Sequence, residues 1–257
     1  MNAATDRCCI LIPCLNEERA IARVVGEALA LGMPVIVVDD GSDDRTPEIV
    51  AALPVTLLRH ASRRGKGEAL RTGFREVLRQ GFDAVVTMDG DGQHLASDVP
   101  AIVAAGRLYP GRIVIGARLL EREQQPPGRR RANAVADWGI SWACGTPVAD
   151  TQSGQRLYPR NVLQLVDLQA EHFVFEAALL ITACRELGTQ VVSVPIASRY
   201  EGEFRLSHFK PVRDVTRITV YTSRKIFHYG RVMASYRHSR ERPTIIDDAT
   251  EVPLAAH

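Results

Sequence analysis

Residues 84–94 read AVVTMDGDGQH, a short apolar, β-branched run followed at once by two carboxylates spaced by glycine. The run is too short for a helix and reads as a buried strand. Residues 8–17, CCILIPCLNE, and 34–43, PVIVVDDGSD, repeat the layout of apolar run and polar cluster. Strands are expected at 8–13, 34–39, 55–58, 84–88 and 113–115. The intervals carry a helical period: within 17–31, Ile21, Val24, Val25, Ala28 and Leu29 recur at three- and four-residue steps. Thr46-Pro47-Glu48 gives a capping residue, a first-turn proline and an early acid, and Ser97-Asp98 opens a helix running to Leu108. Strands alternating with helices specify an α/β fold, a Rossmann-like, mostly parallel sheet with helices on both faces.

Outward from this region the pattern changes. Residues 121–131, EREQQPPGRRR, read as a mobile loop. Helices are expected at 132–144, 159–168 and 173–187, and a strand at 190–195. A long basic helix follows from 211 to 236, and the tail from 242 reads as frayed. This divides the chain into a main domain, 1–210, and a C-terminal amphipathic helix with a flexible tail, 211–257. Between 205 and 242 ten Lys or Arg stand against two acids, which points to anionic lipid, phosphate or nucleic acid. The apolar positions Val212, Val215, Ile218, Tyr221, Ile226, Tyr229 and Val232 fit a helix lying on a membrane surface or one packed on the core. No apolar run approaches the roughly 18–20 residues that span a bilayer. The five cysteines lack CxxC spacing and read as reduced thiols, so a cytoplasmic protein, peripheral on the inner face of the membrane, is expected. A nucleic-acid partner is not expected, because the basic segment lacks a helix-turn-helix pattern and stacking aromatics.

Ligands of open parallel sheets bind beyond the carboxyl ends of the strands, and the three polar clusters converge there. Asp89 and Asp91 can share one hard divalent cation, with Gln93 adding a neutral oxygen, or form only a solvated turn. Asp39 and Asp40 suit nucleobase or ribose donors, or cap the next helix. Asn16 and Glu17 surround a base and ribose, or start a helix. Arg63-Arg64-Gly65-Lys66-Gly67 lacks the P-loop spacing, and its glycines let the backbone approach a nucleotide.

The ordered series PCLNE, VVDDGSDD, RRGKGEALRTG, TMDGDGQH, VIGARL, DTQSGQRLY and YEGEFRLSHF resembles family 2 of the inverting glycosyltransferases, in particular the dolichyl- or polyprenyl-phosphate mannose synthase branch. The resemblance covers roughly residues 8 to 215. It implies a GT-A fold, a GDP- or UDP-sugar donor, and Mg2+ or Mn2+ held by Asp89, Asp91 and Gln93. It places Pro13, Asn16, Glu17 and Asp40 around the nucleotide, with Gly65 and Lys66 from the glycine loop beside them. Arg118 matches an arginine near phosphates, Arg130 and Asn133 an acceptor loop, and Asp150, Ser153, Gly154 and Arg156 a D-x-x-S-G-x-R element. Arg205 and Ser207 match late acceptor positions, although EFRLS stands where the mannose synthases show Gly-x-Ser-Lys.

Asp91, Asp150, Arg118 and Arg156 are the expected catalytic residues. A lipid-phosphate acceptor needs no strong base, because Arg118, Arg130, Arg156 and Arg205 hold its phosphate beside the donor diphosphate. A neutral hydroxyl acceptor, on a pigment, aryl compound or polyketide lipid, needs Asp150 as base. A non-catalytic nucleotide-sugar-binding protein is the third reading.

Overall fold

The computed structural model describes residues 7–120, 127–168, 174–197 and 211–246. Seven strands form one sheet: Cys8–Cys14 (β1), Val35–Asp39 (β2), Thr56–Arg59 (β3), Ala84–Thr87 (β4), Ile113–Ala117 (β5), Arg156–Pro159 (β6) and Val191–Pro195 (β7). Their order is β3-β2-β1-β4-β6-β5-β7. All neighbours are parallel except β6, which runs antiparallel to both β4 and β5. The five strands expected in the first half of the chain and the one at 190–195 are present within one or two residues of their expected ends.

Successive strand residues feed opposite layers, as a period of two requires. Cys9 and Leu11 enter one core cluster, and Cys8, Ile10 and Ile12 the other. On the first side pack Lys66–Arg79 (α3), Pro127–Cys144 (α5), Arg160–Leu163 (α6) and Val174–Glu186 (α7). On the second side pack Ile21–Leu29 (α1), Thr46–Ala51 (α2) and Val99–Leu108 (α4). Gly73 brings α3 onto β1 so closely that a Cβ there would collide with Leu11.

The structure corrects several expectations. β6 lies between the helices expected at 132–144 and 159–168, where no strand is expected, and takes the first residue of the second. Residues 127–131, expected in a loop, are the first turns of α5. Residue 16 does not cap a helix: Asn16 has φ 56°, and α1 begins only at Ile21. Thr46 is the first residue of α2, and Asp44 accepts its N–H at 2.9 Å.

The single C-terminal helix is two, Pro211–His228 (α8) and Val232–Ser239 (α9), broken where Gly230 and Arg231 take φ 63° and 49°. The described part of its apolar stripe packs inward: Ile226 is buried, and Ile218, Tyr221, Tyr229 and Val232 lie against the same cluster, while the side chains of Val212 and Val215 lie outside the description. Trp142 of α5 donates its indole N–H to the Val232 carbonyl (2.9 Å) and meets the Tyr236 ring edge to face. Beyond α9, Thr244 and Ile246 hydrogen-bond to Ser193 of β7, so this part of the segment read as frayed extends the sheet edge.

Candidate active site

The carboxyl ends of β1 and β2 are tied together by side chain to backbone bonds. Asn16 donates its N–H to Ser42 Oγ (2.8 Å) and accepts from Asp43 N–H through Oδ1 (2.9 Å); Glu17 N–H donates to Thr46 Oγ1 (2.7 Å). The Asp39 carboxylate is wholly buried, takes the Ser42 N–H and hydroxyl, and lies 3.1 Å from Arg59 Nε. Asp40 accepts the N–H groups of Arg64 (2.9 Å) and Gly65 (2.7 Å), and His60 Nδ1 stands 2.8 Å away. Two backbone donors of that loop, those of Arg64 and Gly65, are therefore occupied by Asp40. Gly65, at φ 98°, is the conformationally demanding position in that loop. Pro13, Asn16, Glu17, Asp40 and Gly65 do meet at one sheet edge, with Asp40 and Asn16 acting as its fasteners.

Asp89 follows β4 in the crevice where the strand order reverses between β1 and β4, the switch point at which such sheets bind ligands. Lys66, the first residue of α3, places Nζ 2.7 Å from Asp89 Oδ1 and 3.3 Å from Glu176 Oε2 on α7. His94 Nε2 is 3.7 Å from Asp89 Oδ2, and its buried Nδ1 has no partner among the described residues. Asp91 is exposed at the rim, and its Oδ1 accepts Gln93 N–H at 3.0 Å.

Burial alone would raise the Asp89 carboxyl, but Lys66 and His94 outweigh it and hold it well below the usual carboxylate range. Asp91 is pushed up, first by desolvation and then by the charge of Asp89. For Lys66, burial favours the neutral amine, yet Asp89 and Glu176 hold it above its ordinary value. Among the described residues no three His, Cys, Asp or Glu side chains form a metal cage. Two carboxylates on one turn fit a different kind of cation, one bound through one or two carboxylates together with substrate phosphates.

A second cluster lies beside the first. Arg118 grips Asp150 with Nε and Nη2 (both 2.7 Å) and donates its backbone N–H to the same carboxylate (2.8 Å). Burial opposes ionisation of Asp150, but Arg118 outweighs it and lowers its pKa. Arg118, Arg130, Asn133, Asp137, Asp150 and Pro243 line a cavity of about 180 Å³. Four of the catalytic and acceptor candidates are thus brought to one place.

Arg156 and Ser153 are buried and do not line that cavity. The buried Arg156 guanidinium donates to the carbonyls of Ser153 (2.7 Å) and Thr151 (2.6 Å) and to Tyr158 Oη (3.2 Å), which corrects its expected role on a phosphate. Ser153 is fully buried and accepts Gln155 N–H (3.3 Å). Both shape the 150–156 loop from behind. Gly154 lies against Asp89, and a Cβ there would collide with the carboxylate. Arg205 and Ser207 lie outside the described residues.

Sequence reasoning missed Glu176 and Asp137. Glu176 was findable as a lone acid in the otherwise buried first half of α7. Asp137, which accepts the N–H and hydroxyl of Thr151 (both 2.7 Å), had no local signal.

A Rossmann-like sheet with a paired-carboxylate turn at its switch point and an arginine-lined cavity alongside defines a glycosyltransferase of the GT-A type. The chain belongs to glycosyl transferase family 2, whose family model matches residues 9–164. It is 31% identical to the undecaprenyl-phosphate mannosyltransferase of Micrococcus luteus, over 77% of this chain and 86% of that one. It is also 31% identical to the polyprenol monophosphomannose synthase of Mycolicibacterium smegmatis, over 75% of this chain and 77% of that one. Glucosyl-3-phosphoglycerate synthase from Mycobacterium tuberculosis, solved with Mn2+, UDP and phosphoglyceric acid, shares the fold with a TM-score of 0.60. That match has 22% identity and covers 86% of this chain and 78% of that one.

Proposed function

We propose that the chain transfers a sugar from a GDP- or UDP-sugar to a lipid phosphate such as polyprenyl phosphate at a cytoplasmic membrane face, with inversion at the anomeric carbon. The observation that carries this reading is the contact of Asp89 with Gly154. It joins the carboxylate turn to the loop whose Asp150 lines the arginine cavity, so a donor diphosphate and an acceptor anion bound at these two places would be neighbours. The relatives named for polyprenyl- and undecaprenyl-phosphate transfer support the acceptor class.

Asp89 and Asp91, with Gln93, would hold Mg2+ or Mn2+, which when bound offsets charge on the leaving diphosphate. Lys66 adds a fixed cation beside Asp89, and Arg118 and Arg130 orient the acceptor phosphate. A phosphate oxygen attacks the anomeric carbon, the bond to the diphosphate breaks, and the nucleoside diphosphate leaves. No proton need be removed. The state of Asp150 favours this route over a hydroxyl acceptor, since a carboxylate held ionised by a bidentate arginine is a poor base.

The test is nucleotide release from a panel of GDP- and UDP-sugars, with and without Mn2+ or Mg2+ and polyprenyl phosphate, in wild type and Asp91→Ala. Release requiring both cation and lipid phosphate, and lost in the variant, is expected. Metal-dependent turnover indifferent to lipid phosphate would overturn the acceptor, and no binding of any nucleotide sugar would overturn the whole reading.

A further inference from the structure

The C-terminal helices present an outward face that differs from the stripe the sequence suggests. With Ile218, Tyr221 and Ile226 turned inward, the exposed side of α8 carries Thr216, Val220, Arg224 and Phe227, recurring at three- and four-residue steps. Phe227 is 74% exposed. On α9, Met233 is 60% exposed, with Arg237 outward on the next turn. On α5, Arg131, Val135 (65% exposed) and Trp138 form a third outward stripe. The three helices pack side by side: Gly139 faces Thr222, and Trp142 contacts both Val232 and Tyr236. On the outer surface of this three-helix layer, solvent-facing aromatics and aliphatics are thus interleaved with arginines.

We infer that this α5–α8–α9 face docks on an anionic lipid bilayer. Charge decides the occupant: from 216 to 246 seven Lys or Arg stand against one acid, Glu241, which pairs with His238. A basic face with protruding apolar side chains binds a lipid interface by combining apolar insertion with attraction to anionic headgroups. Among the described residues no helix is long and apolar enough to cross a membrane, so the contact is interfacial. The face is continuous with the cavity. α5 supplies Arg130, Asn133 and Asp137 to the cavity, and its exposed stripe lies about a third of a turn around the same helix. Pro243, just after α9, closes another side. Docking brings the cavity to the level of lipid headgroups, where a lipid phosphate would be found. This orientation rests on the proposed acceptor class; the docking itself does not.

The experiment is co-flotation of the full chain with vesicles of phosphatidylcholine alone or with phosphatidylglycerol, containing no polyprenyl phosphate, at low and high salt. Wild type is expected to float with the anionic vesicles only, and salt to weaken binding. Phe227→Asp with Met233→Asp is expected to lower that binding roughly tenfold or more while circular dichroism stays unchanged. The same variant should keep wild-type turnover on a water-soluble, short-chain isoprenyl phosphate, which separates docking from the acceptor reading. Wild type that ignores anionic vesicles, or a variant that binds them equally well, overturns the proposal. A wild-type dimer by light scattering that the variant turns into a monomer would instead give the face to a second copy.

Discussion

Asp89 is gripped from three sides, by Lys66, by His94 and by the bare α-carbon of Gly154. Among the described residues its partner Asp91 is held by nothing stronger than one backbone N–H. One inner carboxylate is therefore rigid and ionised, while the outer one keeps the freedom to turn toward an incoming cation. Gly154→Ala tests this at a single atom. Its added methyl must displace the Asp89 carboxylate, so Mn2+-dependent nucleotide binding, read by calorimetry, should weaken by roughly tenfold or more, about 1.4 kcal/mol. Metal-independent nucleotide binding should change little, and an unaltered Mn2+ dependence would count against the geometry. The two acids were legible in the sequence because glycines and a preceding strand frame them. The grip on Asp89 was not legible, because Lys66 and Gly154 come from distant segments. Arg156 shows the reverse: its motif was readable, but only the fold shows it buried and donating to the Ser153 and Thr151 carbonyls and to Tyr158 Oη.

At the scale of elements, what could be read was what local period determines. β1, β2 and β4 announce themselves as buried runs ending in polar clusters. β6 does not, because RLYP is four residues long and its pairing with β4 and β5 is entirely non-local. The C-terminal helix was legible in its existence but not in its break, nor in which stripe faces inward, since both faces carry apolar residues. The start of α4 holds a departure that predicts a pH effect. Asp98 stands at the N-cap position, yet its side chain makes no cap bond and buries Oδ2 without a partner among the described residues. Desolvation pushes its pKa up to about 6, against a lesser lowering by His94. The folded chain therefore keeps a proton that the unfolded chain, with its ordinary carboxyl near 3.8, has lost. Stability falls as pH rises through that window and stays lower above it. Asp98→Asn should raise the melting temperature at about pH 7.5 and leave it nearly unchanged at about pH 4. Equal shifts at both pH values would assign the effect to packing instead.

For the molecule as a whole, the fold class and the convergence of three polar clusters followed from strand-and-helix alternation alone, because an open parallel sheet leaves one edge for ligands. The cavity beside that edge was not visible, since α5, the 150–154 loop and Pro243 meet only in three dimensions. Its charged lining is balanced, Arg118 and Arg130 against Asp137 and Asp150, so the excess of positive charge lies along the C-terminal helices. The central claim is that Asp89, Asp91 and the arginine cavity together move a sugar onto a lipid phosphate by a single displacement. The most direct measurement is NMR of the organic-extractable product formed from a matched nucleotide sugar, Mn2+ and polyprenyl phosphate. The account predicts a sugar joined to the lipid phosphate with its anomeric configuration inverted relative to the donor. A product of retained configuration, or sugar released only into water, would contradict it.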